Sequence, residues 1–77
     1  MEALEMLGEI SRQCVELRNR GREPHKIYMD LKCCVTLEQS LRQVMHVKED
    51  KKNKTCRWMI YGVPIYVHGD FCVPEVR

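Results

Sequence analysis

Residues 55–68, with the sequence TCRWMIYGVPIYVH, contain the single Trp of the chain and two of its three Tyr residues. Aromatic and β-branched side chains suit a half-buried pleated surface, so this stretch predicts two strands, 56–61 and 65–68. Gly62 and Pro64 interrupt the alternation, and they predict a turn or bulge close to a sheet edge. Because two strands alone are marginally stable in water, a third strand and a covering helix are expected.

The third strand is expected at 26–31, where apolar and polar residues alternate over the sequence KIYMDL. Its period of two places Tyr28 on the face opposite Ile27 and Met29. The same alternation in the later strands predicts one sheet face that is partly open to solvent. That face is expected to present Tyr28, Met59, Tyr61 and Tyr66.

Two amphipathic helices are predicted. In 2–20, apolar residues recur at spacings of three and four, and Gly21 is well placed to end the helix in the left-handed conformation. The second helix is expected at 37–47, since Thr36 followed three residues later by Gln39 has the pattern of a capping box.

The element order is therefore α-β-α-β-β, and the predicted fold class is α+β. We expect residues 1–77 to form a single small domain, with a three-stranded sheet and two helices packed on one face. Residues 48–55 contain no apolar side chain and are expected to form a solvated loop. The apolar segment 71–74 is expected to pack on the core or on the sheet edge.

Composition narrows the class of protein. The chain has 77 residues, 44% of them hydrophobic, and a formal net charge of +2, which is too small to indicate nucleic acid or an anionic membrane by itself. No apolar run is long enough to span a bilayer, and the N-terminus lacks the features of a secretory signal. Five cysteines, an odd number, without an export signal favour reduced thiols and a cytoplasmic location.

Catalytic and metal-binding patterns are weak. His68 and Cys72 have a spacing suited to zinc, but no second close pair accompanies them, so no metal or cofactor is expected. Cys34 lies just before the predicted second helix, where the helix dipole would favour a thiolate, but nothing places a base beside it. We therefore expect a protein that is not an enzyme, with a thiol enzyme or a zinc protein as the remaining alternatives.

Binding to another macromolecule is the function that the sequence favours. Exposed aromatic side chains on a small sheet have the composition of an interface core, so a protein partner is expected. The alternative is nucleic acid bound by the basic segment 48–57, which adjoins two aromatic residues; a homodimer is also left open. The expected contact residues are Tyr28, Lys51, Lys52, Lys54, Arg57, Trp58, Tyr61 and Tyr66.

No motif in the chain identifies a family. In its short length, its compact α+β pattern and its several unpaired cysteines, the chain resembles the small accessory proteins encoded by bacteriophages and mobile elements. Such proteins often inhibit host machinery, as anti-defence proteins of the anti-CRISPR type do. The resemblance implies an inhibitory binding module and assigns a role to no particular residue.

Overall fold

The computed structural model describes residues 2–41, 45–50 and 55–77, and of 46–50 and 55–57 it describes only the backbone. This part of the chain contains two helices and five strands. In order, they are α1 (Ala3–Asn19), β1 (Ile27–Met29), α2 (Leu31–Ser40), β2 (Met45–Asp50), β3 (Thr55–Ile60), β4 (Val63–Val67) and β5 (Glu75–Val76).

The strands form one mixed sheet in the order β2-β3-β4-β1-β5. The pair β1–β4 is parallel, and the other three neighbouring pairs are antiparallel. The predicted α+β class is confirmed, but the predicted number of three strands is wrong. The sequence of β2, MHVKED, shows little apolar alternation, and β5 has only two residues, so both depend on pairing with a neighbour that local sequence does not reveal.

The core lies on one face of the sheet, where both helices pack. Ile27, Ile60 and Ile65 are almost completely buried there, each on a different strand. The helices and the remaining strands contribute further buried side chains to the same cluster: Ala3, Met6, Ile10, Cys14, Met29, Cys33, Cys34, Leu37, Met45, Val63 and Val76. We call this side of the sheet the covered face.

Helix α1 confirms the helix predicted at 2–20. Its N-terminus is closed by a capping box in which the Glu2 amide donates to the Glu5 side chain at 3.3 Å. At the C-terminus, Gly21 has a φ of 76°, its amide donates to Arg18 and that of Arg22 donates to Leu17. These two bonds form a Schellman motif, the role that the sequence predicted for Gly21.

Helix α2 begins six residues before its predicted start at 37. Asp30 caps it, because its carboxylate accepts a hydrogen bond from the Cys33 amide at 2.8 Å. Thr36, the predicted cap, lies inside the helix, where its hydroxyl donates to the Lys32 carbonyl at 2.8 Å. Asp30 had been assigned to the strand predicted at 26–31, as one of its alternating polar residues. The start of the helix was therefore predicted too late in the chain.

The chain past α2 also differs from the prediction. Residues 45–50 and 55 belong to strands β2 and β3, whereas helix was expected to 47 and loop over 48–55. Met45, which lies within the helix predicted at 37–47, is buried in β2 opposite Ile60. Residues 42–44 and 51–54 lie outside the described part of the chain, so the predictions made for them stay predictions.

The turn between β3 and β4 is at Tyr61-Gly62. Both residues have positive φ, 52° and 77°, as in the two-residue type I′ turns that suit the twist of a hairpin. Pro64 was expected near a sheet edge, yet it lies in β4, which has neighbours on both sides. The pairing of β4 with β1 starts at Ile65, so the missing N–H of Pro64 falls just before that ladder begins.

The C-terminal segment is held between the sheet and α1. Strand β5 pairs with β1, and its other side contacts the side-chain amide of Gln13. That amide donates to the Pro74 carbonyl at 2.8 Å and accepts from the Val76 amide at 2.7 Å. Segment 71–74 was expected to pack on the core or on the sheet edge, and this holds for Pro74, which is fully buried, whereas Cys72 and Val73 are exposed.

Candidate functional site: the open sheet face

The face opposite the helices carries half-buried apolar and aromatic side chains. Met59 and Pro64 are directly opposite each other on β3 and β4, and Tyr66 is opposite Tyr28 on β4 and β1. Phe71 stacks on Tyr28 with ring centroids 4.9 Å apart and an interplanar angle of 21°. We call the surface formed by these five residues the open face.

The rings of the open face are packed against one another. Tyr28 and Tyr66 are tilted, with centroids 5.9 Å apart, and the His68 ring meets Phe71 edge-on at 5.6 Å. Such offset and edge-to-face pairs are favourable because the negative face of one ring meets the positive edge of another. The rings are therefore held in one arrangement before anything binds.

Two cations lie over these rings. The Lys26 Nζ atom is 5.5 Å from the Tyr66 centroid, and the Arg77 guanidinium carbon is 5.1 Å from Tyr28 and 5.5 Å from Phe71. These distances fall within the range of cation–π attraction. The open face thus combines aromatic area with positive charge.

Local backbone structure brings Phe71 to this surface. The chain reverses after β4, where the Phe71 amide donates to the His68 carbonyl at 3.2 Å. The Phe71 carbonyl then accepts from the Asp30 amide at 2.8 Å, which fixes the segment at the end of β1. The position of this ring depends on contacts between distant parts of the chain.

The structure separates the aromatic residues that the sequence grouped as contacts. Tyr28 and Tyr66 do lie together on the open face. Trp58 is two residues before Ile60 on β3, and it packs partly buried against the core on the covered face. Tyr61 leaves the strand alternation because of its positive φ, and its hydroxyl lies 3.5 Å from the Ser11 hydroxyl of α1.

The basic residues predicted as contacts are not placed by the structure. Lys51, Lys52 and Lys54 lie outside the described residues, and Arg57 is described only as a backbone position paired with Lys48. Their role stays a prediction.

Sequence reasoning missed four residues on this side of the sheet: Lys26, Pro64, Phe71 and Arg77. The strand alternation placed Lys26 on the same face as Tyr28, and this was the one available signal. Phe71 was expected to pack somewhere on the core or edge, but nothing local indicated Tyr28 as its partner. Arg77 follows a two-residue strand that only pairing with β1 defines.

The cysteines with described side chains are free thiols, and Cys14, Cys33 and Cys34 are buried. Burial raises the pKa of Cys33 to about 11, with the neighbouring Asp30 carboxylate adding to the effect. Burial also raises the pKa of Cys34, with Glu38 as a second cause. A nucleophilic thiol needs the opposite shift, so the thiolate considered for Cys34 has no support in its surroundings.

Other types of site have little support in the described part of the chain. Within it, no three His, Cys, Asp or Glu side chains cluster as metal ligands would, and neither helix has the length and apolar character needed to cross a membrane. An open groove runs between α1 and residues 70–77, and Gln13 in its wall is already bonded to the backbone. The open face is therefore the strongest candidate site.

Comparisons with family models, curated proteins and solved structures give no match, so the site is interpreted from its own chemistry.

Proposed function

We propose that the protein is a non-enzymatic binding module that binds a protein partner on its open face. The observation that carries this proposal is the locked cluster of Tyr28, Tyr66 and Phe71 with Lys26 and Arg77 over the rings. Neither described helix packs on this surface, whereas the core on the other side of the sheet is filled by both.

The composition of the cluster favours a protein interface. Tyr and Arg are enriched among the residues that dominate binding energies, and half-buried aromatic area is typical of interface cores. Ordering a mobile side chain on binding costs about 0.5–1.5 kcal/mol. Because Tyr28 and Arg77 are already held by contacts within the chain, little of this cost remains to oppose association.

Nucleic acid fits the same surface less well. Proteins that bind single strands offer free aromatic faces on which bases stack. Here Phe71 stacks on Tyr28, and Arg77 lies over both rings. A base would have to displace these contacts before it could stack.

Site-specific photo-crosslinking tests the proposal in cells that naturally contain the protein. A benzophenone amino acid replaces Met59 on the open face or, as a matched control, Val15, which is 54% exposed on α1. We expect an adduct with one distinct protein from position 59 and none from position 15. Tyr66→Ala should abolish that adduct and weaken binding of the isolated partner by roughly 30-fold, as expected for a residue central to an interface.

Three outcomes would contradict the proposal: adducts with nucleic acid, adducts of the chain with itself, or equal labelling of one protein from both positions. Circular dichroism of each variant shows whether the fold is kept, so loss of structure is recognised separately. Inhibition of the partner is the mode of action that the likeness to phage accessory proteins implies. An activity assay of the isolated partner with and without the purified chain tests it.

A further inference from the structure

Two cations stand side by side on the open face. The Arg77 amide donates to the Lys26 carbonyl at 2.8 Å, and the Lys26 amide donates to the Arg77 carbonyl at 2.8 Å. Residues that exchange both bonds in this way are directly opposite in an antiparallel ladder, and their side chains share a face. Like charges directly opposite each other are destabilising. The Glu75 carboxylate already offsets part of that cost at Arg77, and an anion bound between the two cations would offset more of it.

The Arg77 side chain is held so that it can receive such an anion. Its Nε donates to the Glu75 carboxylate at 2.6 Å, and the guanidinium lies over Tyr28 and Phe71. Among the described residues, no hydrogen-bond acceptor contacts its two terminal nitrogens. A guanidinium fixed in this way offers two parallel N–H donors, the geometry that matches a carboxylate.

Resting on the function proposed above, we infer that the partner's contact segment is acidic and that one of its carboxylates binds across Lys26 and Arg77. The ammonium of Lys26 supplies a second positive charge beside the guanidinium fork. The apolar part of the open face then packs against side chains that flank the acid. The structure thereby assigns a chemical class to the partner: a protein segment with Asp or Glu next to apolar residues.

The variant Glu75→Gln distinguishes an acid-binding role of Arg77 from a purely structural one. The Glu75 carboxylate occupies one side of the Arg77 guanidinium and competes with an incoming acid. Removing its charge in Glu75→Gln should strengthen acid binding although it breaks an ion pair of the free protein. If Arg77 served only to hold the C-terminal segment, the same change would leave acid binding unaltered.

The test is a titration of ¹⁵N-labelled full-length protein with decaglutamate peptide, followed by amide shifts. We expect the largest shifts at Lys26, Tyr28 and Arg77. Affinity should fall about tenfold in the double variant Lys26→Gln/Arg77→Gln and rise about two- to threefold in Glu75→Gln. Lys32→Gln and Glu38→Gln on α2 are matched charge controls, and neither should reproduce the change caused by its counterpart.

The inference is overturned if decaglutamate shifts a different surface, or if the α2 controls change its affinity as much as the open-face variants do. A (dT)₁₀ oligonucleotide that binds the open face more tightly than decaglutamate would also overturn it and would identify nucleic acid as the ligand. The same variants, assayed with the crosslinked partner, separate the two proposals. A partner that needs Tyr66 but ignores Lys26 and Arg77 supports the proposed function and contradicts the acidic contact.

Discussion

The two faces of the sheet have different roles, one in stability and the other, as we propose, in binding. On the covered face, aliphatic, Met and Cys side chains from both helices and all five strands form one buried cluster. On the open face, three rings and two cations hold one another near the surface. The first arrangement removes apolar area from water, which stabilises the fold. The second keeps apolar area within reach of solvent, and we interpret it as a binding surface.

The largest expected effect on stability comes from comparing two neighbouring residues of β4 that lie on opposite faces of the sheet. Ile65 is 3% exposed on the covered face, and Tyr66 next to it is half-buried on the open face. We expect Ile65→Ala to lower the free energy of unfolding by about 3 kcal/mol, because it leaves a cavity in the core. Tyr66→Ala should cost only about 1 kcal/mol, the value of lost ring contacts. Urea unfolding of both variants measures the difference.

Equal losses for the two substitutions would break this comparison. They would show that the open face is a second structural core and would remove the main reason to treat it as a docking surface. Tyr66→Phe serves as a control, since it keeps the ring and should retain the stability that the ring contacts supply.

An intermediate effect on stability is expected from replacing Gln13. This residue links α1 on the covered side to the segment that contains Phe71 and Arg77. Gln13→Ala leaves the Pro74 carbonyl and the Val76 amide without their partner. We expect a loss of about 2 kcal/mol, because each buried polar group left unpaired carries a penalty. Hydrogen exchange should accelerate most at Val76.

Gln39→Ala is the matched control, since Gln39 is exposed on α2. If Gln13→Ala changes stability no more than this control, the side-chain bridge does not hold the C-terminal segment. Phe71 and Arg77 would then have to be held by the β1–β5 pairing and by the hydrogen bond from the Asp30 amide to the Phe71 carbonyl.

The smallest effect is expected at Asp30, where the chain leaves β1 and starts α2. The hydrogen bond from the Cys33 amide lowers the pKa of this carboxyl below its ordinary value. Its contribution to stability is therefore present at neutral pH and is lost as the pH falls through the lowered pKa. Melting temperatures of the wild type and Asp30→Asn, compared from pH 7 to pH 2, should differ in slope, because Asn accepts the same bond without titrating.

Thr36→Ala tests the alternative start of α2, because the sequence pattern predicted Thr36 as the N-cap. Alanine has the higher helix propensity, so this change should be neutral or stabilising by less than about 0.7 kcal/mol. A larger loss from Thr36→Ala than from Asp30→Ala would restore the predicted start of the helix.

The sequence was informative where the signal is local. The periodicity of α1, the stop at Gly21 and the alternation around Tyr28 and Tyr66 each depend on neighbours in the chain, and each was found. What could not be predicted depends on distant partners: β2 and β5 become strands by pairing. Asp30 was misread because a single polar residue at a strand end fits both an alternating strand and a helix cap.

The difference between local and long-range signals also explains which residues of the open face could be predicted. Two of the three rings on the open face were expected there, because strand alternation assigns faces directly. Trp58 was grouped with them although its own alternation with Ile60 placed it on the other face. Phe71 and Arg77 reach the open face only through a chain reversal and a two-residue strand, neither of which leaves a periodic pattern.

The position of β1 has a consequence for how the protein is made. This strand comes before both of its neighbours, β4 and β5, and α2, β2 and β3 lie between it and them in the chain. Closing such long loops costs entropy before any contact repays it, and proteins dominated by non-local pairs fold slowly. The nascent chain therefore cannot complete its sheet until Val76 has left the ribosome. Until then, β1 lacks one of its two neighbours in the sheet.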